Sequence, residues 1–289
     1  MAARGARAYR ARGEDLVTTA RDHRHLIGAL LREWRQRRRL SQLELALQAD
    51  ISTRHLSFVE TGRARPSREM VLHLADHLDV PLRERNGLLL AAGYAPSYPE
   101  STFDSPQLAP VRRAIRQVMQ GHEPHPAVVV DRLWNLVDSN SGVALLTAGV
   151  TPELLEPPVN VLRLSLHPGG LAPSIVNLGE WRAHLLARLR RQLRVAADPL
   201  LVDLYDELRR YPCAQPEPAP EIPGAGDIVV PLRLRHGGRE LSFFSTVATF
   251  GTPLDVTAAE LVIESFFPAD EQTAAVMRVG GLTGTRTPR

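Results

Sequence analysis

The stretch "SQLELALQADISTRHLSFVETGRARPS", residues 41–67, decides the fold of the first third of the chain. It contains two short amphipathic runs around a tight turn, and each run starts at a serine, Ser41 or Ser52, of the type that caps helices. Glu44 lies three residues after Ser41, so its side chain can reach back to the Ser41 backbone N–H, which predicts a capping box. The stretch therefore predicts two helices that meet at a sharp angle.

A 20-residue frame from Gln42 to Thr61 has the residue types that a helix-turn-helix needs. The small Ala46 lies where the two backbones must approach, and Asp50 lies at the turn, where a left-handed backbone is tolerated by Asp. Three apolar residues are spaced to fix the pair to a core: Ile51, Leu56 and Val59. The alternative is an ordinary helical hairpin within a bundle.

The second helix of this pair shows an exposed polar cluster that a simple hairpin does not require. In a helix-turn-helix the second helix lies in the major groove of DNA. Arg54 is then suited to donate two hydrogen bonds to guanine, and Thr53 to contact a thymine methyl group. We expect Phe58, beside this face, to pack against a neighbouring helix. The predicted base-contacting residues are Ser52, Thr53, Arg54 and Ser57.

Phosphate contacts are expected from polar and basic residues that flank the two helices. Gln42 begins the first helix, and Arg63 and Arg65 follow the second. Arg38 belongs to the basic run Arg37–Arg39, for which plain solvation stays open as an alternative.

Residues 23–95 as a whole predict an all-α unit of five helices, of the lambda-repressor-like class, behind a flexible basic arm at 1–22. Leu26, Ile27, Leu30 and Leu31 recur at helical spacing in the first helix. For the helix after Ser41 the pattern predicts an apolar side made of Leu43, Ala46 and Leu47.

Charge supports a polyanionic partner for this part of the chain only. Residues 1–95 carry 17 Arg against 11 acidic residues, a net charge of +6, whereas the remainder carries 18 against 21, a net charge of −3. The chance scatter of surface charge is the alternative. A single cysteine and the lack of an apolar run of about 18 residues favour a cytoplasmic protein without a membrane span.

The segment "SQLELALQADISTRHLSFVETGRARPSREMVLHLADHLDVP" resembles the Xre/Cro-repressor type of helix-turn-helix. With its continuation "LRERNGLLLAAGYAP" it is similar to the MmyB-like regulators. The resemblance implies a sequence-specific transcription regulator, usually a homodimer on a two-fold operator in double-stranded DNA. It also implies DNA contacts at the positions of Gln42, Thr53, Arg54 and Ser57.

A Pro- and Ser-rich linker at 96–106 separates this unit from a second domain, 107–279, and a flexible tail follows at 280–289. The second domain has two predicted strands in 127–140 and two predicted helices in 174–196 and 198–211. A Pro-rich loop follows at 212–227, then a hairpin turning at His236-Gly237-Gly238 and a last strand within 260–270.

The opening "PAVVVDRLWNLVDSNSGVALL" resembles a PAS-like sensor, and 107–279 resembles the ligand-binding half of the MmyB-like regulators. The implied fold is α/β with an antiparallel sheet around an apolar cavity, and the implied ligand is a small apolar molecule such as a fatty acid. Core packing is the alternative for the aromatic residues, and helix capping for Asn140. The candidate pocket residues are Trp134, Asn140, His167, Trp181, Phe243 and Phe244.

Motifs for catalysis, cofactor binding or metal binding are not found in the sequence. His122 and His125 lie in a turn-rich loop, and Cys213 lies among prolines. We therefore expect no enzyme, no cofactor and no metal. Two other classes stay open: an antitoxin-like DNA-binding protein whose second half binds a protein partner, and a self-regulating enzyme.

Overall fold

The computed structural model describes residues 23–195, 198–216 and 230–283. The chain divides into two units: the first ends at Glu100, the second begins at Ser101, and Leu254–Val256 belongs with the first. The predicted arm at 1–22 and the greater part of the Pro-rich loop lie outside the described residues. Within the described ranges, no helix is long and apolar enough to cross a membrane.

The N-terminal unit is helical, as the sequence predicts. Ser41, Ser52 and Ser67 each accept a hydrogen bond from a backbone N–H of the helix that follows. The predicted capping box is present, with Ser41 N donating to Glu44 Oε2 at 2.7 Å and Glu44 N donating to Ser41 Oγ at 3.2 Å. The described helices of this unit are α1 at 23–37, α2 at Gln42–Gln48, α3 at Thr53–Glu60, α4 at Arg68–His77 and α5 at Leu82–Ala91.

The predicted apolar side of α2 is wrong in part. Leu43 and Leu47 are 57% and 72% exposed, whereas Leu45, Ala46 and Ala49 are buried. Leu45 and Ala49 flank Ala46 on one side of the helix, and the two exposed leucines flank it on the other. A helix of seven residues fits either choice, and the packing of α2 against α3 selects the side with Leu45.

The second unit contains a five-stranded antiparallel sheet with the strand order β2-β1-β5-β4-β3. The predicted hairpin is confirmed, but its turn is only Gly237-Gly238, because His236 pairs with Arg239. Both glycines have positive φ, 55° and 74°, as a two-residue hairpin turn requires. The strands are β1 at Ala127–Val130, β2 at Leu136–Ser139, β3 at Leu232–His236, β4 at Arg239–Ala248 and β5 at Val262–Pro268.

Helices cover both faces of this sheet. The two helices predicted in 174–196 and 198–211 are confirmed as α9 and α10, but α6 and α12 are not predicted from the sequence. Helix α12 includes residues 280–283 of the predicted tail, and residues 284–289 lie outside the described residues. The helices are α6 at Ala109–Gly121, α7 at Ala144–Thr147, α8 at Val161–Leu166, α9 at Leu178–Val195, α10 at Pro199–Arg210, α11 at Val256–Glu260 and α12 at Glu271–Thr283.

Alternate residues of β1 enter two different cores. Val128 and Val130 join the larger core, which is formed with side chains of α8, α9 and α10. Ala127 and Val129 join a smaller core, formed with Ile115 of α6 and residues of β5. The run "AVVV" is therefore apolar throughout because both faces of the strand are buried.

Candidate DNA interface and ligand cavity

Helix α3 is fixed to its unit on one side. Asp50 has the predicted left-handed backbone, with φ of 49°, and Leu56 and Val59 are fully buried. Gly28 of α1 lies so close to the Val59 carbonyl oxygen that a Cβ there would collide with it. The orientation of α3 is therefore set by backbone-level contacts, and its opposite side remains accessible.

The accessible side of α3 carries the four predicted base-contacting residues. Ser52 and Arg54 are exposed, and Thr53 and Ser57 are partly exposed. Ser52 Oγ also accepts from His55 N at 3.1 Å, so this serine caps the helix. Thr53, Arg54 and Ser57 occupy positions i, i+1 and i+4, which share one face of a helix.

A buried ion pair, missed by sequence reasoning, ties α1 to α3. Arg35 Nε and Nη2 donate to the two carboxylate oxygens of Glu60 at 2.7 and 2.9 Å, and the Glu60 side chain is 1% exposed. The hydrogen bond to Glu60 raises the pKa of Arg35 above its ordinary value. Gln42 Nε2 donates to the same carboxylate at 2.7 Å, so α2 is held as well. The available signal was Glu60 itself, four residues after the buried Leu56.

Phe58 does not pack as expected from the sequence. It is partly exposed and is absent from the described core of the N-terminal unit. Its ring lies beneath two guanidinium groups, with Arg54 Cζ at 5.3 Å and Arg63 Cζ at 5.9 Å from the ring centroid. Phe58 therefore restricts two arginines at the proposed interface through cation–π contacts.

Two of the arginines predicted to contact phosphate are used within the unit. Arg38 Nε donates to Leu78 O at 2.7 Å, beside the end of α4, and Arg65 Nη2 donates to Ala92 O at 3.1 Å, at the end of α5. Such carbonyl groups lack partners within their own helix and attract cations. Arg63 is exposed, and its guanidinium lies over the Phe58 ring.

The larger core of the second unit encloses an apolar cavity. Its empty volume is about 560 Å³ when the part open to solvent is included. Ser165 and Glu264 are the polar residues among an otherwise apolar wall. The lining is formed by Val128, Trp134, Val143, Leu146, Val161, Leu162, Leu164, Ser165, Leu171, Trp181, Leu185, Leu232, Glu264 and Phe266.

Two of the six candidate pocket residues line this cavity. Trp134 and Trp181 are both in its wall, and both are nearly buried. The Trp134 indole donates to Gln192 Oε1 at 2.8 Å, and the Trp181 indole donates to Ser165 Oγ at 2.9 Å. These hydrogen bonds fix the two rings, which gives the cavity a defined shape.

The other four candidates are not in the cavity wall. Phe243 is fully buried in the core, and Phe244, on the opposite face of β4, stacks on Phe267 at 5.2 Å. His167 accepts from Gly169 N at 3.0 Å in its own loop. Strand alternation therefore places Phe244 away from the core, whereas Phe243 is part of the packed core around the cavity.

Asn140 neither lines the cavity nor caps a helix with its side chain. Its Oδ1 accepts from Ala127 N at 2.9 Å, and its Nδ2 donates to His125 O at 2.8 Å. Asn140 therefore fixes the start of β1. Helix capping by its side chain is wrong, and its role as a pocket residue stays a prediction.

Glu264 is the charged residue of the cavity wall, and sequence reasoning missed it. It lies on β5 between Val262 and Phe266, and strand alternation puts all three on the core side. Its Oε2 accepts from Arg188 Nη1 at 2.9 Å, and Arg188 lies over the Trp134 ring at 4.4 Å. A carboxylate on the buried face of an apolar strand was the available signal.

Comparisons with known proteins agree with this geometry. Residues 26–88 match the family model of a helix-turn-helix domain, so the chain is a DNA-binding transcription regulator. Residues 111–279, more than half of the chain, match the model of the MmyB-like transcription regulator ligand binding domain. The chain belongs to the MmyB-like transcription regulators and contains their ligand-binding domain.

Solved structures give only distant similarity. Two are of the clp gene regulator ClgR from Corynebacterium glutamicum: one is 28% identical over 25% of this chain and 88% of that chain, the other 24% over 35% and 95%, and both have a TM-score of 0.22. A third, an RNA-binding light-oxygen-voltage receptor, is 14% identical over 99% of this chain and 68% of that chain, with a TM-score of 0.28. Scores this low carry no inference. Curated proteins gave no match.

Proposed function

We propose that the N-terminal unit reads an operator in double-stranded DNA with the first half of α3. The main support for this proposal is the accessible face of α3. The polar residues of this face are open to solvent, whereas the opposite side of the helix is buried against the unit. Arg54 donates to a guanine edge in the major groove, and Thr53 contacts a thymine methyl group. The base-contacting residues are Ser52, Thr53, Arg54 and Ser57.

Contacts with DNA phosphate groups hold α3 in place on the duplex. Arg63 is exposed and supplies a full guanidinium for this purpose. The side-chain amide of Gln42 has a second N–H besides the one that donates to Glu60. Arg38 and Arg65 likewise have further N–H groups besides those that donate to the helix-end carbonyls. We rank Arg63 first among these four phosphate contacts.

The operator is read by a homodimer in this proposal, since two α3 helices then enter major grooves about one helical turn apart. A cytoplasmic location is part of the same proposal, and DNA as the partner supports it. Selection from a pool of random duplexes tests the proposal: a motif with two-fold symmetry supports a dimeric reader. A pool without an enriched motif contradicts sequence-specific binding.

The second unit binds a small apolar effector, such as a fatty acid, in the cavity lined by Trp134 and Trp181. An effector changes operator affinity only as far as it binds the DNA-competent and incompetent states differently. Native mass spectrometry of the purified protein, followed by denaturation and extraction, tests this point. A released apolar molecule supports an effector role, whereas an empty protein that takes up no apolar compound contradicts it.

A further inference from the structure

Phe58 is a partly exposed aromatic residue beside the base-contacting residues of α3. It follows Arg54 by four residues, and residues at this spacing lie next to each other on the surface of a helix. The Arg54 guanidinium lies over the Phe58 ring, with Cζ at 5.3 Å from the ring centroid. Phe58 is therefore in contact with the side chain that we assign to guanine recognition.

The chain after α3 folds back onto Phe58. Arg63 N and Ala64 N both donate to the Phe58 carbonyl oxygen, at 2.8 and 3.0 Å. Gly62 permits this reversal, because its φ of 72° lies in the left-handed region that glycine adopts without strain. The Arg63 backbone is thereby fixed beside Phe58, and its Cζ lies 5.9 Å from the ring centroid.

Two guanidinium groups from different segments therefore share one aromatic ring. Arg54 belongs to the helix and Arg63 to the loop that follows, and both side chains are exposed. The negative face of an aromatic ring attracts cations, which offsets the repulsion between neighbouring like charges. Both positive charges are thus held beside the ring before any DNA is bound.

Holding the two arginines in advance lowers the entropic cost of binding DNA. An arginine side chain that becomes immobilised only in the complex loses its rotamer freedom at that step, and affinity falls. A side chain that is already held loses less. The contact with the ring uses the charge and the planar face of the guanidinium, and its N–H groups can still donate to acceptors on DNA.

We propose that Phe58 is a positioning residue for DNA recognition, whose ring holds Arg54 for a guanine edge and Arg63 for a phosphate group. Base reading and phosphate contact then depend on the same ring. The inference rests on the proposed function of α3 and extends it to a residue outside the set of DNA contacts.

Binding of the full chain to the duplex selected from the random pool and to a scrambled duplex, measured by fluorescence anisotropy, tests the proposal. Phe58→Leu removes the ring and keeps an apolar side chain. We expect it to weaken binding to the selected duplex about fivefold or more, because two arginines then become immobilised only on binding. We also expect relaxed preference at the same base pair as in Arg54→Ala, which a loss of stability alone does not produce.

Phe58→Tyr keeps the ring, so we expect it to bind the selected duplex as the unaltered protein does. A loss as large as that of Phe58→Leu would show that the aromatic ring is not what matters, and the proposal would be overturned.

A background without the two arginines separates positioning from direct contact with DNA. In the variant Arg54→Ala/Arg63→Ala, measured at low salt concentration to strengthen binding, we expect Phe58→Leu to cause no further loss. The same loss in this background as in the unaltered protein overturns the proposal, since the ring then contacts DNA itself or only supports the fold.

Tyr205→Leu is the matched control. Arg190 and Arg209 lie over the Tyr205 ring in the second unit, with Cζ at 5.7 and 5.8 Å from its centroid. This variant also removes a ring beneath two arginines, and we expect it to leave the affinity for the selected duplex unchanged. A random pool without an enriched motif contradicts the proposed function and this inference with it. An enriched motif that Phe58→Leu binds with unchanged affinity overturns the inference alone.

Discussion

Each unit of this protein contains a buried glutamate that is paired with an arginine, and the two pairs differ in the number of hydrogen bonds that the glutamate accepts. In the N-terminal unit, Glu60 receives both donors of a bidentate Arg35 and a third hydrogen bond from Gln42. In the second unit, Glu264 receives a single hydrogen bond from Arg188. The first carboxylate has hydrogen bonds at both oxygens, whereas the second has one hydrogen bond and belongs to the wall of the apolar cavity.

The two pairs differ in the elements that they hold together. The first pair, with hydrogen bonds at both carboxylate oxygens, aligns α1, α2 and α3. The second pair joins α9 to β5, and its carboxylate belongs to the cavity wall. The same two residue types therefore fix the helix-turn-helix in one unit and form part of a cavity wall in the other.

The largest expected effect is that of Glu60→Ala. Removing the carboxylate leaves the buried Arg35 without its ion-pair partner and with one hydrogen bond, to Leu40 O, so we expect the free energy of unfolding of the N-terminal unit to fall by about 3–5 kcal/mol. Denaturant titration followed by circular dichroism measures it. The control Glu33→Ala removes an exposed i,i+4 partner of Arg37 and is expected to change the value by about 0–1 kcal/mol. Equal losses of unfolding free energy in the two variants would show that the Arg35–Glu60 pair does not stabilise the unit.

A smaller loss of stability is expected from Glu264→Ala. Only one hydrogen bond is removed, and the Arg188 side chain is 18% exposed and keeps contact with water. We expect a loss of about 1–3 kcal/mol, measured in the same way without ligand. A loss as large as that of Glu60→Ala contradicts the distinction between the two pairs.

Arg54→Ala tests whether the rigidly held α3 reads bases. We expect specific operator binding to weaken by about 1–3 kcal/mol, with relaxed preference at one base pair. Fluorescence anisotropy with the selected operator and a scrambled duplex measures both changes. Arg32→Ala, an exposed arginine of α1, controls for the lost charge. Operator affinity equal to that of the control removes Arg54 from base recognition.

Arg63→Ala is expected to act less selectively and more weakly. A lost phosphate contact weakens binding to specific and scrambled duplexes alike, and it reduces the slope of log affinity against log salt by about one. Titrations at several salt concentrations determine that slope. A slope equal to that of the unaltered protein rules out a phosphate contact at Arg63.

Local signals were sufficient to predict much of the fold. The capping box at Ser41, the left-handed turn at Asp50, and the spacing of Trp181, Leu185 and Leu189 depend on residues within one or two helical turns of each other. Sequence reasoning missed α6, which follows a proline-rich start, and short helices without such signals. Their apolar faces are defined by the sheet that they cover and not by a local pattern.

The candidate base-contacting residues share one face of α3, and the spacing along a single helix is enough to predict that they do so. The cavity was not predictable in this way. Of six candidates only Trp134 and Trp181 line it, since aromatic residues such as Phe243 pack the core equally well. Residue type alone does not distinguish a cavity wall from a filled core.

By itself, the sequence determined the helix-turn-helix, the two-unit organisation and the resemblance to MmyB-like regulators, because each depends on short-range spacing. Only the tertiary structure decided which face of α2 is buried, which arginines are occupied by helix ends, and where the two glutamates find their partners. Arg35 and Glu60 are 25 residues apart, and Arg188 and Glu264 are 76 apart. Contacts over such separations arise from the packing of whole elements, which no local pattern encodes.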